Sequence, residues 1–173
     1  MKNFNNRLKG GHPNSLGETV EIVAEVLAEP DTFAELFACY FSEDETVRLR
    51  TSNAMKRIGK AQKNILIPYI DRFLEEVSQI EQASAQWTLS QLFQLLEQDM
   101  QDKQRQKAEA IMRHNLATHQ DWIVLNTSMD TLGKWAKKDS TLKEWLIPHL
   151  ERLANDTRKS VAARANKTLQ KLS

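Results

Sequence analysis

The stretch LIPYIDRFL at Leu66–Leu74 returns eighty residues later as LIPHLERLA at Leu146–Ala154. The first three positions and the arginine are identical, and the acid before the arginine and the apolar positions agree in kind. A separation of 80 residues equals two units of about 40, which lies in the period range of helical repeat proteins. The recurrence therefore predicts a stack of similar helix pairs.

A second recurrence sets the spacing of the second helix of each pair. Its apolar positions recur at steps of 38, 39 and 37 residues. They are Val47, Ala54 and Ile58, then Ala85, Leu92 and Leu96, then Val124, Thr131 and Trp135, then Val161, Thr168 and Leu172. One helix pair cannot bury such a stripe alone, so the pairs need stacked neighbours to form a core.

These periods predict an all-α fold, a right-handed α-α superhelix of four helix pairs. The first helices of the pairs are predicted at about 30–42, 62–80, 102–117 and 140–154, with a capping helix over 16–28. Residues 1–14 are rich in Asn, Gly and basic residues and lack periodicity, so they predict a flexible basic arm. Residues 15–173 are predicted to form a single domain.

The segment Asp44–Arg50, followed by Ala54 and Ile58-Gly59, resembles the second-helix signature of the HEAT-repeat family, Asp…Val-Arg…Ala…Leu-Gly. The segment from Asp156 to Ala165 is a poorer copy, because alanine follows its valine where the signature has arginine. The resemblance covers about 150 residues and extends to bacterial HEAT-repeat proteins that begin with the same kind of helix cap. It implies an armadillo-like α-solenoid, and such motifs specify a fold better than a function.

A HEAT-like fold also hosts a family of alkylpurine DNA glycosylases, which resemble this chain in repeat architecture only. The nearest candidates for the acid of such an enzyme are Asp121 and Asp130. Asp121 is interpreted instead as the N-cap of a helix that begins at Trp122. No phosphate-binding Gly-rich loop and no nucleophile motif occurs. We therefore predict no catalytic residue, no cofactor and no enzymatic activity.

Composition limits the remaining classes of function. The chain has 173 residues, 27% of them charged, and a net charge of +1, so bulk charge selects no partner. Its four histidines lack Cys or carboxylate neighbours at metal-ligand spacing, which predicts no metal site: His12, His114, His119 and His149. Cys39, the single cysteine, is interpreted as a buried, unreactive thiol. No membrane span or secretory signal is recognisable, and we predict a cytoplasmic protein.

The candidate binding surface is the concave face, which the second helices line in HEAT-like stacks. Along the units, the stripe beside the core positions changes from basic to polar to apolar to neutral polar. The candidate contact residues are Arg48, Ser52, Lys56, Gln86, Trp87, Ser90, Gln94, Leu125, Met129 and Asn166. A mixed surface of this kind favours a protein or peptide over a polyanion. We predict a non-catalytic scaffold or adaptor for a protein or peptide partner.

Nucleic-acid binding is the alternative, through bases of the first repeat and the N-terminal arm. Residues 46–64 contain six bases and no acid, and residues 139–173 contain seven bases against four acids. The charges also suit helix dipoles, and Arg50 or Arg164 is interpreted as a bridge to acids of the neighbouring repeat. Trp135 and Trp145 are predicted to be packing residues.

Overall fold

The computed structural model describes all 173 residues and contains ten α-helices and no β-strand. The predicted all-α class is therefore confirmed. The chain divides into two compact units, Met1–Met100 and Gln101–Ser173. Each unit has packed helices of its own, and the single domain expected over 15–173 stays a prediction.

Unit 1 holds six α-helices joined by short 3₁₀ segments. The α-helices are α1 (Phe4–Arg7), α2 (Thr19–Ala28), α3 (Phe33–Ala38), α4 (Glu45–Gln62), α5 (Ile70–Glu75) and α6 (Ala83–Leu95). The 3₁₀ segments are Pro30–Thr32, Cys39–Phe41, Lys63–Ile65, Ile67–Tyr69, Val77–Gln79 and Glu97–Asp99. Helix α4 packs against both α2 and α6, so it forms the centre of this unit. Asp44 caps α4 by accepting hydrogen bonds from the backbone N–H groups of Thr46 and Val47.

The predicted first helices of unit 1 are broken into pieces. The segment expected at 30–42 is 3₁₀ at both ends with only Phe33–Ala38 as α-helix, and the segment expected at 62–80 is interrupted in the same way. Pro30 and Pro68 each lie at the start of a 3₁₀ segment, where a missing backbone N–H costs no hydrogen bond. Pro148, which corresponds to Pro68 in the recurring stretch, lies inside an unbroken α-helix.

Unit 2 holds four longer helices: α7 (Asp102–Thr118), α8 (Trp122–Ala136), α9 (Ser140–Leu153) and α10 (Lys159–Leu172). Helix α8 packs against α7, α9 and α10, and α10 also packs against α9. Asp121 accepts hydrogen bonds from the N–H groups of Ile123 and Val124, so its interpretation as an N-cap is confirmed. Asp139 caps α9 in the same way through Leu142.

All twelve core positions predicted from the repeat spacing are buried. The least buried are Thr168 at 6% and Leu172 at 5% exposure, and the other ten are at 2% or below. The prediction that these twelve residues are core positions is therefore confirmed. Trp135, one of the twelve, is also confirmed as a packing residue.

Helices α8 and α10 approach each other closely at Gly133. A Cβ atom added there would lie 2.6 Å from Cγ2 of Thr168. Gly133→Ala should therefore destabilise unit 2 by about 1–2 kcal/mol, since overpacking costs about 1–3 kcal/mol and alanine recovers part of that through helix propensity. Urea unfolding followed by circular dichroism measures the change.

The matched control removes the methyl group that clashes. The Thr168 hydroxyl donates to the Arg164 carbonyl at 2.8 Å, a bond that serine can also make. In a Thr168→Ser background, Gly133→Ala should be neutral or stabilising by up to about 1 kcal/mol. If Gly133→Ala lowers the free energy of unfolding equally with threonine and with serine at position 168, the close approach of the two helices is contradicted.

Candidate binding surfaces

The ten predicted contact residues differ widely in accessibility. Five are buried: Ser52, Gln86, Ser90, Leu125 and Met129. Arg48, Lys56, Trp87 and Gln94 are half-buried, and Asn166 is exposed. A side chain without accessible surface cannot contact a partner, so the five buried residues are corrected to packing positions. The other five remain predictions.

Several polar residues in this stripe have internal partners in unit 1, among them Ser52 and Arg48. The Ser52 hydroxyl is hydrogen-bonded to the buried Tyr40 hydroxyl at 2.9 Å. Arg48 donates from Nε to the side-chain carbonyl of Gln82 and from Nη1 to the backbone carbonyl of Ser42, both at 2.6 Å. These contacts join the start of α4 to neighbouring segments. Both sets of contacts are internal to unit 1, which spacing along one helix could not reveal.

The N-terminal arm is folded onto unit 1, contrary to the predicted flexibility. Phe4 and Leu8 are fully buried, and residues 4–7 form α1. Arg50, only 2% exposed, donates hydrogen bonds of 2.7–3.1 Å to four backbone carbonyls of the arm. These carbonyls belong to Leu8, Gly10, His12 and Ser15. Arg50 therefore holds the loop that follows α1, and it is not the predicted bridge to an acid.

Glycine is required where this loop passes over Arg50. Gly17 has a φ of +52°, and a Cβ atom there would lie 2.9 Å from Nη1 of Arg50. Gly10 and Gly11 also have positive φ values, of 78° and 74°. The left-handed conformation lets successive carbonyls turn towards the guanidinium group. The loop is thus a ring of acceptors around one buried cation.

Most bases of the arm and first repeat have nearby partners. Lys2 pairs with Glu29, and Arg7 forms ion pairs with Glu18 and Glu25. The hydrogen bond from Arg7 lowers the pKa of the Glu25 carboxyl.

The bases of the α4 region are similarly occupied. Arg57 donates to the Asn53 side chain, and Lys63 pairs with Asp99. Burial, together with the charges of Lys60 and Arg57, lowers the pKa of Lys56. A phosphate-binding surface needs exposed, uncommitted cations, and few of these bases meet that condition.

An open groove of about 440 Å³ lies on unit 1, between the start of α3 and the segment after α4. Its lining residues are Pro30, Asp31, Phe33, Ala34, Gln62, Asn64, Ile65, Pro68 and Tyr69. The Tyr69 ring meets Phe33 edge-on with centroids 4.6 Å apart and lies 5.0 Å from Phe37. This aromatic packing gives the groove a rigid apolar floor.

Four polar groups face the groove without a partner in the chain. They are the Asp31 carboxylate, the side-chain amides of Gln62 and Asn64, and the Tyr69 hydroxyl. Asp31 is the one charged residue in the lining. An apolar floor with a few uncommitted polar groups is the usual composition of a ligand site. The repeat spacing does not reveal this groove, because most of its residues lie in 3₁₀ turns at helix ends.

Side chains outside the groove show little evidence of a catalytic or binding role. Cys39 is buried, and burial raises the pKa of its thiol to about 11, which opposes formation of the reactive thiolate.

Trp145 stacks on His149 with centroids 4.2 Å apart and on the Arg113 guanidinium group at 4.8 Å, so it is largely a packing residue. Asp130 pairs with Lys134 and Arg164. The predicted bridge from Arg164 is therefore confirmed.

No set of three or more His, Cys, Asp or Glu side chains is arranged to hold a metal ion. None of the helices combines the length and the apolar character that crossing a membrane requires. Comparison of the chain with protein-family models, with curated proteins and with solved structures found no match.

Proposed function

We propose that this protein is a non-catalytic adaptor that binds an extended peptide segment of a partner protein. The observation that carries the proposal is the groove of unit 1, with its aromatic floor and its uncommitted polar groups. Its volume of about 440 Å³ falls within the range of about 300–1,000 Å³ that is common for ligand sites. This groove takes the place of the concave stripe as the proposed contact surface.

The chemistry of the lining defines the peptide. The apolar floor at Ile65, Pro68 and Tyr69 suits apolar side chains of the partner. The amides of Gln62 and Asn64 can donate to and accept from its backbone. Asp31 is unpaired and lies in a stretch, 15–45, with nine acids and no Lys or Arg. The partner segment should therefore carry a lysine or arginine beside its apolar residues.

A peptide selection tests this proposal. A random peptide library displayed on phage is selected on the full chain, and the recovered peptides are measured by fluorescence anisotropy. Asp31→Lys should weaken the recovered peptides about fivefold to tenfold, through loss of an attraction and gain of a repulsion. Glu21→Lys makes the same charge change at an exposed site on α2 and should leave binding unchanged.

Two outcomes would contradict the proposal. One is a selection that yields no peptide enriched in both apolar and basic residues. The other is an equal loss of affinity in the Asp31→Lys and Glu21→Lys variants, because that would report net charge and not the groove.

We also propose that the helix pairs form a HEAT-like right-handed superhelix in a cytoplasmic protein. In support, second helices pack side by side within each unit, α4 with α6 and α8 with α10. The unpaired thiol of Cys39 is in keeping with a reducing compartment. An experimental structure with a closed helical bundle would contradict the superhelix.

A further inference from the structure

A cluster of basic side chains lies where α8 and α10 meet in unit 2. From α8 it contains Asp130, Gly133, Lys134 and Lys137, and from α10 it contains Arg164, Lys167, Thr168 and Lys171. Both sets follow the spacing i, i+3, i+4, i+7, so each forms one face of its helix. We call these eight residues the α8–α10 basic cluster.

The cluster holds five bases and one acid, which leaves it strongly positive. Asp130 accepts from Lys134 at 3.4 Å and from Arg164 at 3.3 Å. Lys137, Lys167 and Lys171 are exposed and pair with no acidic side chain. The chain leaves these like charges side by side, and their repulsion would be relieved by a bound anion.

The helix approach concentrates this charge. Gly133 has no Cβ, and Cγ2 of Thr168 occupies the space that a Cβ would take. The two basic faces are therefore brought together without a bulky side chain between them. The close contact between Gly133 and Thr168 therefore places the basic residues of α8 next to those of α10.

We propose that the α8–α10 basic cluster binds the phosphate backbone of duplex nucleic acid. Arg164, Lys167 and Lys171 span seven residues of helix, or about 10 Å at 1.5 Å per residue. B-form DNA carries one negative charge per about 1.7 Å of helix axis over its two strands, so about 10 Å of duplex presents about six phosphates. The row of bases on α10 can therefore contact several phosphates of one duplex segment, with the lysines of α8 beside it.

The lining favours this ligand over two others. It contains no large apolar side chain that could anchor a peptide, whereas protein interfaces are usually held by buried aromatic or aliphatic anchors. It also contains no aromatic ring, and proteins that bind single strands typically stack the bases on such rings. Point charges around a shallow surface suit a backbone that is read only by its phosphates.

A salt titration with a fluorescein-labelled DNA duplex of about 20 base pairs tests the proposal. The full chain should bind with a slope of log K against log salt of about −3, which corresponds to about three neutralised phosphates. Lys167→Glu with Lys171→Glu should weaken binding about tenfold and reduce that slope by about 2. The pair Lys167→Gln with Lys171→Gln should follow the same direction with a smaller loss, and circular dichroism verifies folding of both.

The control pair is Lys9→Glu with Lys60→Glu, which makes the same change in net charge on exposed residues of unit 1. Duplex binding by this variant should match that of the unaltered chain. The proposal is overturned by equal losses in the two glutamate pairs or by the absence of salt-dependent binding at low salt. It is also overturned if polyglutamate displaces the duplex equally well at equal charge, which would assign the cluster to acidic proteins.

Discussion

Replacement of Arg50 by methionine should lower the free energy of unfolding by about 2–4 kcal/mol and release the N-terminal arm. The change removes the donors for the carbonyls of Leu8, Gly10, His12 and Ser15. A hydrogen bond to a charged group contributes about 1.5–3 kcal/mol, and a simple sum would exceed the expected loss. The loss is smaller because the freed loop can detach and hydrate its carbonyls, so the docking energy of the arm sets the limit.

Two measurements separate this account from a general loss of packing. Thermal unfolding should show a decrease in Tm of about 4–16 °C, at about 2–4 °C per kcal/mol for a chain of this size. Limited digestion with trypsin should cleave after Lys9 earlier in the variant, since Lys9 lies in the loop that Arg50 holds. Arg50→Lys retains the charge but has three donors in place of five. Its Tm and its rate of cleavage after Lys9 should therefore lie between those of the unaltered chain and of Arg50→Met.

An outcome in which Arg50→Met unfolds earlier while Lys9 stays protected would contradict the proposed role. It would mean that Phe4 and Leu8, which are both fully buried, dock the arm without the arginine.

The sequence predicted the core well because helical period is a local property. Val47, Ala54 and Ile58 define a stripe, and the same stripe recurs in every repeat with all of its members buried. A helix that packs against its neighbours must place apolar side chains at such intervals. This part of the fold therefore depends on spacing along the chain, which the sequence displays directly.

Five residues of the contact stripe are buried because their helices have more than one buried face. Helix α4 packs against both α2 and α6, and α8 packs against three helices, so each buries more than one stripe. Ser52 reaches Tyr40, and Met129 is fully buried, although both positions were predicted to face a partner. A residue one step from the core stripe is exposed only if no further helix covers it, and periodicity carries no information on that.

The arm and the α8–α10 basic cluster depend on contacts between distant segments. Arg48 and Arg50 are similar in sequence context, yet a two-residue step turns them to different sides of α4. Only the fold shows that the arm covers the side with Arg50. The excess of bases in 139–173 was visible in the sequence, but its concentration depends on the approach of Gly133 to Thr168.

Truncation of Phe37 to alanine should destabilise unit 1 by about 3–5 kcal/mol, the usual cost of deleting a buried aromatic ring. Phe37 is fully buried at the centre of an aromatic group whose ring centroids lie 5.0–6.3 Å from its own. These rings belong to Phe33, Tyr40, Phe41, Tyr69 and Phe73. Urea unfolding followed by circular dichroism gives the change in free energy.

The same substitution at Phe41 is the matched control, because that ring is 49% exposed and its loss should cost less than about 1 kcal/mol. Phe37→Ala should also weaken the peptides selected on the groove, even under conditions where the variant stays folded. Tyr69 rests on Phe37, so a cavity beneath it lets the floor of the groove shift. If Phe37→Ala loses stability but binds those peptides with unchanged affinity, the aromatic floor does not contribute to peptide binding. That result would count against the proposed groove.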